Sequence, residues 1–185
     1  LRHLATSTPV PHPTLDRLLI DAARAAPARR FCIAGPPDPP GLDLPANVER
    51  LEHVGPDAHA AFYGASRFTL NVTRADMVAA GWSPSVRLFE AAACAVPIVS
   101  DGWDGLDVFF EPGRDILLPQ DGEAVLALLR GLPDAERQAI GRAGRACVLA
   151  SHTSAHRAAE LEAFIQAARA DRPERRQARE RHAHA

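Results

Sequence analysis

Apolar residues along this chain fall into two alternating patterns, short β-prone runs and longer stretches with apolar positions repeated at helical spacing. "PTLDRLLIDAARAA" (13–26) opens on Pro13 and Thr14 and predicts a helix. "RFCIAG" (30–35) predicts a strand ended by Gly35 and the loop "PPDPPG". "VERLEHVG" (48–55) predicts a second strand, "PDAHAAFYGAS" (56–66) a helix from Pro56, and "RFTLNVT" (67–73) a third strand. "SPSVRLFEAAAC" supplies a helix over 84–95, with Ser83 as N-cap and Pro84 as its first residue. "PIVSD" (97–101) predicts a fourth strand, "GLDVFFEPG" (105–113) a short helix, and "DILLP" (115–119) a fifth strand. "DGEAVLALLRGL" (121–132) predicts a helix, and from Pro133 to Ala170 only helical periodicity remains. Residues 171–185 are charged and lack apolar anchors, which predicts a disordered tail behind one domain over 1–170.

Strands alternating with helices predict an α/β domain built on a parallel sheet, with extra helices at the C-terminal end. Composition changes this picture little. With 185 residues, 46% hydrophobic and 24% charged, the chain reads as one ordinary globular domain. A net charge of -2 offers no basic field for nucleic acid. No apolar run approaches the roughly 18 residues of a membrane span, and no signal peptide is visible. Cys32, Cys94 and Cys147 sit among apolar neighbours without a C-x-x-C pair, which fits a reducing, cytoplasmic setting. All 21 basic residues are arginine, so a Walker-type phosphate loop and Schiff-base chemistry are excluded.

Open parallel sheets bind ligands at the carboxyl ends of their strands. Three such ends carry chemistry: "NVTRAD" (71–76), "GWSPS" (81–85) and "SDGWDG" (100–105). The helix over 84–95 is apolar almost all round, yet Arg87 and Glu90 interrupt it. With Ser83 they fall within roughly 60° on one face, at about 100° per residue. An i, i+3 pair is worth about 0.2–0.5 kcal/mol, while desolvating two charges costs several kcal/mol each. The stripe therefore faces either water or a polar ligand. A helix start with free N–H groups, and Arg87 one turn in, favours an anion. A carboxylate one turn further suits a sugar diol, which together make a nucleotide-sized pattern.

These residues carry a resemblance. "FTLNVTRADMVAAGWSPSVRLFEAAACAVPIVSDGWDGLDVFFEPGRDILL" resembles the C-terminal half of GT-B glycosyltransferases of the spore-maturation-protein CgeB-like group, with similarity from about Pro13 to Phe164. The resemblance implies a Rossmann-like domain that binds a nucleoside diphosphate sugar and transfers the sugar to an unidentified acceptor, with no cofactor and no metal. It places Glu90 as the second glutamate of an E-x(7)-E pattern, the one that holds the ribose hydroxyls. The first glutamate is replaced by Trp82, so the sugar preference of ordinary members does not carry over. The implied donor-binding residues are Glu90, Arg87, Ser83, Ser85, Arg74, Thr73, His53 and Asp101, with the catalytic group unassigned. His53 falls where the nucleobase pocket is expected, while Arg74 reaches for the diphosphate with Asn71 and Thr73 beside it. Trp103 and Asp104 line the same cleft. A complete GT-B enzyme has a second Rossmann-like half carrying the acceptor site. The expectation is thus that this chain is a fragment, a truncated product, or a donor-binding module that works with a partner. The rival is a non-catalytic nucleotide-binding or scaffold protein with Trp82 plugging the sugar pocket.

His152 and His156 have the i, i+4 spacing of zinc ligands, but no third ligand or HExxH glutamate accompanies them. His182 and His184 belong to the tail.

Overall fold

A computed structural model describes residues 1–4, 13–35 and 43–170. The "PPDPPG" loop and the tail with His182 and His184 lie outside the described residues. The chain divides into two compact units, Leu1–Leu149 and Ala150–Ala185.

The first unit begins with a strand that periodicity did not mark, β1 (Arg2–Leu4). A helical stretch follows, from α1 (Pro13–Leu15) through a π-helical segment, Asp16–Ile20, into α2 (Asp21–Ala25). Then come β2 (Phe31–Ala34), β3 (Val48–Leu51), a 3-10 turn over Pro56–Ala58, and α3 (His59–Gly64). β4 (Thr69–Asn71), α4 (Ala75–Ala80), α5 (Val86–Ala93) and β5 (Ile98–Ser100) follow. A 3-10 turn over Leu106–Val108 precedes α6 (Gly122–Gly131) and α7 (Asp134–Ser151). The second unit contains α8 (Ser154–Ala170), none of whose residues is buried.

All five strands are parallel, in the order β3-β2-β1-β4-β5. β1 is therefore the pivot: Arg2 stands opposite Cys32 on one side and Thr69 on the other. The chain winds outward from it in one direction to β3 and then in the other to β5. The point of reversal lies between β1 and β4, where ligands bind in open sheets of this kind.

Strand residues alternate between two cores. Phe31, Ile33, Leu70 and Val99 join Leu18, Leu19, Val125 and Leu129 in one apolar cluster. Cys32, Ala34 and Ile98 join Phe62, Leu88, Ala91 and Val148 in the other. The expected α/β architecture, a parallel sheet covered by helices on both faces, is what the chain forms.

Several elements differ from expectation: α4 was not marked, and the helix expected over 105–113 is only the 3-10 turn Leu106–Val108. Residues 115–119 do not form a strand. Leu117 donates to the Ile98 carbonyl and accepts from Ser100 N–H, both at 2.9 Å. The segment makes only isolated bridges, Val99 to Leu117 and Pro112 to Ile116. A tight turn, with Gly113 N–H donating to Ile116 O at 2.7 Å, occupies one end and Pro119 offers no donor at the other. The central helix starts at Val86 with Ser85 as N-cap, not at Ser83 and Pro84. Ser85 is extended at φ -70°, ψ 136°, the backbone an N-cap takes, so the helical turn begins only with Val86.

Candidate nucleotide site

The site is built where the loops after β4 and β5 meet the start of α5. Asp101, one residue past β5, is buried. Its carboxylate accepts from Thr73 N–H at 3.1 Å, from the Thr73 hydroxyl at 2.9 Å and from the Ser100 hydroxyl at 3.4 Å. Asn71 Nδ2 donates to those same hydroxyls, to Thr73 Oγ1 at 3.3 Å and Ser100 Oγ at 3.1 Å. One network thus ties two strand ends that are 28 or 29 residues apart in sequence. Burial pushes the Asp101 carboxyl above the usual carboxylate range, against the pull of the Thr73 and Ser100 hydrogen bonds. Asp101 and the Thr73 hydroxyl are therefore occupied in holding the loops, and any donor contact from Thr73 passes through the loop they fix.

Arg74 is the N-cap residue of α4, half exposed, with Asp76 at 3.7 Å. After α4 the backbone takes two left-handed residues, Gly81 at φ 63° and Trp82 at φ 53°. Trp82 N–H donates to Asp104 O at 2.8 Å, and its indole lies against Gly105. A Cβ there would stand 2.6 Å from Trp82 Cδ2, so glycine makes the contact possible. Trp82 is 64% exposed on the surface of the loop. Ser83 lies before the helix, two residues ahead of its N-cap. Ser85 is buried and makes no capping bond with its side chain, so the first N–H groups of α5 keep no side-chain partner from it.

On α5, Leu88, Ala91 and Ala92 pack inward, while Val86 is 66% exposed. The helix is two-faced, not buried all round. No ion pair joins Arg87 to Glu90 among the described residues. Arg87 is partly buried, and burial lowers its pKa from the usual guanidinium value, offset by nearby Tyr63 and Glu90 and reinforced by Arg74. Glu90 faces a residue that sequence reasoning passed over. His59 Nδ1 lies 3.5 Å from Glu90 Oε2, and its Nε2 lies 3.2 Å from the Val54 carbonyl oxygen. Tyr63, one turn on from His59, meets it edge to face with ring centroids 6.1 Å apart. Burial, then Glu90, pushes the Tyr63 phenol up to about 12. A spacing of four on a helix start was the available signal for both. His53 is exposed, beyond the end of β3. Trp103 is buried and packs on Phe109, with centroids 6.2 Å apart.

His152 and His156 belong to the second unit and face other partners. His152 Nδ1 is 2.8 Å from Arg157 Nη2, and His156 Nδ1 is 2.6 Å from the Thr153 hydroxyl. Among the described residues no group of three or more His, Cys, Asp or Glu is placed to hold a metal ion. No helix among them is long and apolar enough to cross a membrane.

Residues 10–163 match the family described as glycosyl transferase-like. No curated protein matches the sequence. Among solved structures the chain is similar to a sucrose-phosphate synthase from Thermosynechococcus elongatus, at 20% identity and a TM-score of 0.66, covering 91% of this chain and 45% of that one. It is also similar to HepE of Anabaena, solved in complex with UDP-glucose, at 15% identity and a TM-score of 0.58, covering 80% and 43%. A glycosyltransferase involved in avilamycin A biosynthesis matches at 22% identity and a TM-score of 0.55, covering 90% and 51%. The chain thus spans about half the length of these neighbours or less.

Proposed function

The chain belongs to the glycosyl transferase-like family, and on that premise we propose that it is the donor-binding half of a GT-B glycosyltransferase of the CgeB-like group. The substrate is a nucleoside diphosphate sugar. The reaction forms a bond from an acceptor oxygen to the sugar's anomeric carbon and breaks the bond from that carbon to the diphosphate. The acceptor proton goes to a base that another part of the enzyme supplies.

One observation carries this reading: hydrogen bonds tie the loops after β4 and β5 together at the carboxyl edge of the sheet, beside the β1–β4 switch point, and α5 between those strands carries Arg87 and Glu90 on one helical stripe. Negative charge builds on the leaving diphosphate. Arg87, Arg74 and the N-terminal N–H groups of α5 oppose it at fixed positions, the arrangement that lowers such barriers most. Glu90, turned outward beside His59, accepts the two ribose hydroxyls, and Ser83, Ser85 and Thr73 border the phosphates. Asp101 acts by holding the Thr73 loop, and His53 borders the base. No metal and no further cofactor is needed, and the setting is cytoplasmic.

An upstream acceptor domain completes the enzyme. Orienting two reactants contributes about 7–11 kcal/mol to such a step, so the 185-residue chain is expected to bind nucleoside diphosphates and transfer no sugar alone. The test is calorimetric titration with UDP, ADP and GDP beside a diphosphate-release assay over a panel of donor sugars. Saturable binding without acceptor-dependent turnover is the expected result. Absence of binding by every nucleotide removes the donor-site reading, and turnover by the chain alone removes the half-enzyme reading.

A further inference from the structure

A small cavity of about 10 Å³ lies between α3, α5 and the strands β4 and β5. Tyr63, Asn71 and Arg87 line it with apolar Ala91 and Ile98. Thr69 and Leu70 complete the lining, and Tyr63, Asn71 and Arg87 each have one buried atom without a protein hydrogen-bond partner: the Tyr63 hydroxyl, Asn71 Oδ1 and Arg87 Nε. Tyr63 is 1% and Asn71 4% exposed, so bulk solvent does not reach them. Buried polar groups are nearly always paired, and three orphans around one space call for a common partner.

We propose that a single buried water molecule occupies this cavity and joins Tyr63, Asn71 and Arg87, fixing the guanidinium that meets the donor's diphosphate. The volume suits one water, which needs roughly 10–15 Å³ and two to four polar partners. The valences also close. The Thr73 and Ser100 hydroxyls spend their hydrogens on Asp101, so they accept from Asn71 Nδ2. That fixes the orientation of the Asn71 amide and leaves Oδ1 as a pure acceptor. Arg87 Nε–H is a pure donor. The water accepts from Arg87 and donates to Asn71, and Tyr63, whose hydroxyl stays protonated, either donates to it or accepts its second hydrogen. The Asp101 network at the strand ends is thereby extended through Asn71 and the water to Arg87. The two terminal guanidinium nitrogens are left for phosphate oxygens. Tyr63 and Asn71 are positioning residues, acting through Arg87. Their role in binding rests on the donor-site reading above, but the water itself does not.

Two measurements decide the matter. In nitrogen-15 NMR spectra of the intact chain, the Arg87 Nε–H resonance is identified as the one lost in Arg87→Gln. It should exchange slowly with solvent and show a direct cross-relaxation peak to a long-lived water. Fast exchange without that peak overturns the proposal of a buried water. Next, UDP and uridine are titrated onto the parent, Tyr63→Phe, Arg87→Gln and the double variant. Tyr63→Phe should weaken UDP binding about three- to tenfold, the worth of one hydrogen bond, and leave uridine unchanged. In the Arg87→Gln background it should cost nothing further. An equal loss in both backgrounds, or an equal loss for uridine, overturns the positioning role. If Arg87→Gln leaves UDP binding intact, the diphosphate reading of Arg87 fails, while the NMR result still settles the water.

Discussion

Replacing Gly141 by alanine should destabilise the first unit sharply, because α7 approaches the end of α5 through that residue. A Cβ on Gly141 would collide with the carbonyl oxygen of Ala95, with the carbonyl carbon at 2.9 Å and Pro97 Cδ at 3.3 Å. These neighbours are backbone and a proline ring, and neither can swing aside like a long side chain. Ala95 is itself left-handed at φ 56°, a conformation only a few per cent of non-glycine residues adopt. The clash must be relieved by lifting α7 from its seat. Overpacking costs about 1–3 kcal/mol, and a site walled by backbone belongs at the upper end. Alanine returns up to about 1 kcal/mol of helix propensity, leaving a net loss of about 2 kcal/mol. At about 2–4 °C per kcal/mol for a chain of this size, the melting temperature should fall by about 4–8 °C. Gly131→Ala is the control: nothing lies within 4 Å of its added Cβ. It should melt at or slightly above the parent. Thermal melts followed by circular dichroism on the three proteins provide the test. A Gly141→Ala chain as stable as Gly131→Ala would refute the close approach of α7 to Ala95.

Two further predictions concern charge. His59→Ala should cost less than about 1 kcal/mol of stability, since the His59–Glu90 pair is partly exposed at 21% and 37%. A loss above about 2 kcal/mol in urea titration would mean that Glu90 is far more desolvated than its exposure allows. For Asp101 the folded-state pKa is raised by burial, so the folded chain holds its proton to higher pH than the unfolded chain does. The stability this contributes is present below the ordinary aspartate value of 3.8 and is lost as pH rises through the raised folded value. Asp101→Asn should therefore gain on the parent as pH rises through that window, and parallel melting profiles for the two would contradict the assignment.

The parts of the fold legible in sequence were those with enough residues to show a period. The 122–131 helix announces itself through Asp121, whose carboxylate accepts from Ala124 N–H at 2.8 Å. β1 is no shorter than β4 or β5, but it lies in no longer β-prone run and two of its three residues are Arg2 and His3, yet it is the strand about which the sheet turns. The α5 stripe was legible from Arg87 and Glu90 alone, because helical geometry fixes their relation. What those residues face was not. His59 precedes Glu90 by 31 positions, and Asn71 reaches Ser100 across 29. Contacts of that kind follow from the winding of the sheet and leave no local pattern.

The central claim is that Glu90 holds the ribose of a nucleoside diphosphate on this chain. Calorimetry with UDP and 2′-deoxy-UDP, on the parent and on Glu90→Ala, tests it most directly. Hydrogen bonds to a charged group are worth about 1.5–3 kcal/mol. The parent should therefore prefer UDP by about 10- to 150-fold, and Glu90→Ala should bind the two nucleotides alike. A variant that keeps the parent's preference, or a parent that shows none, contradicts the claim.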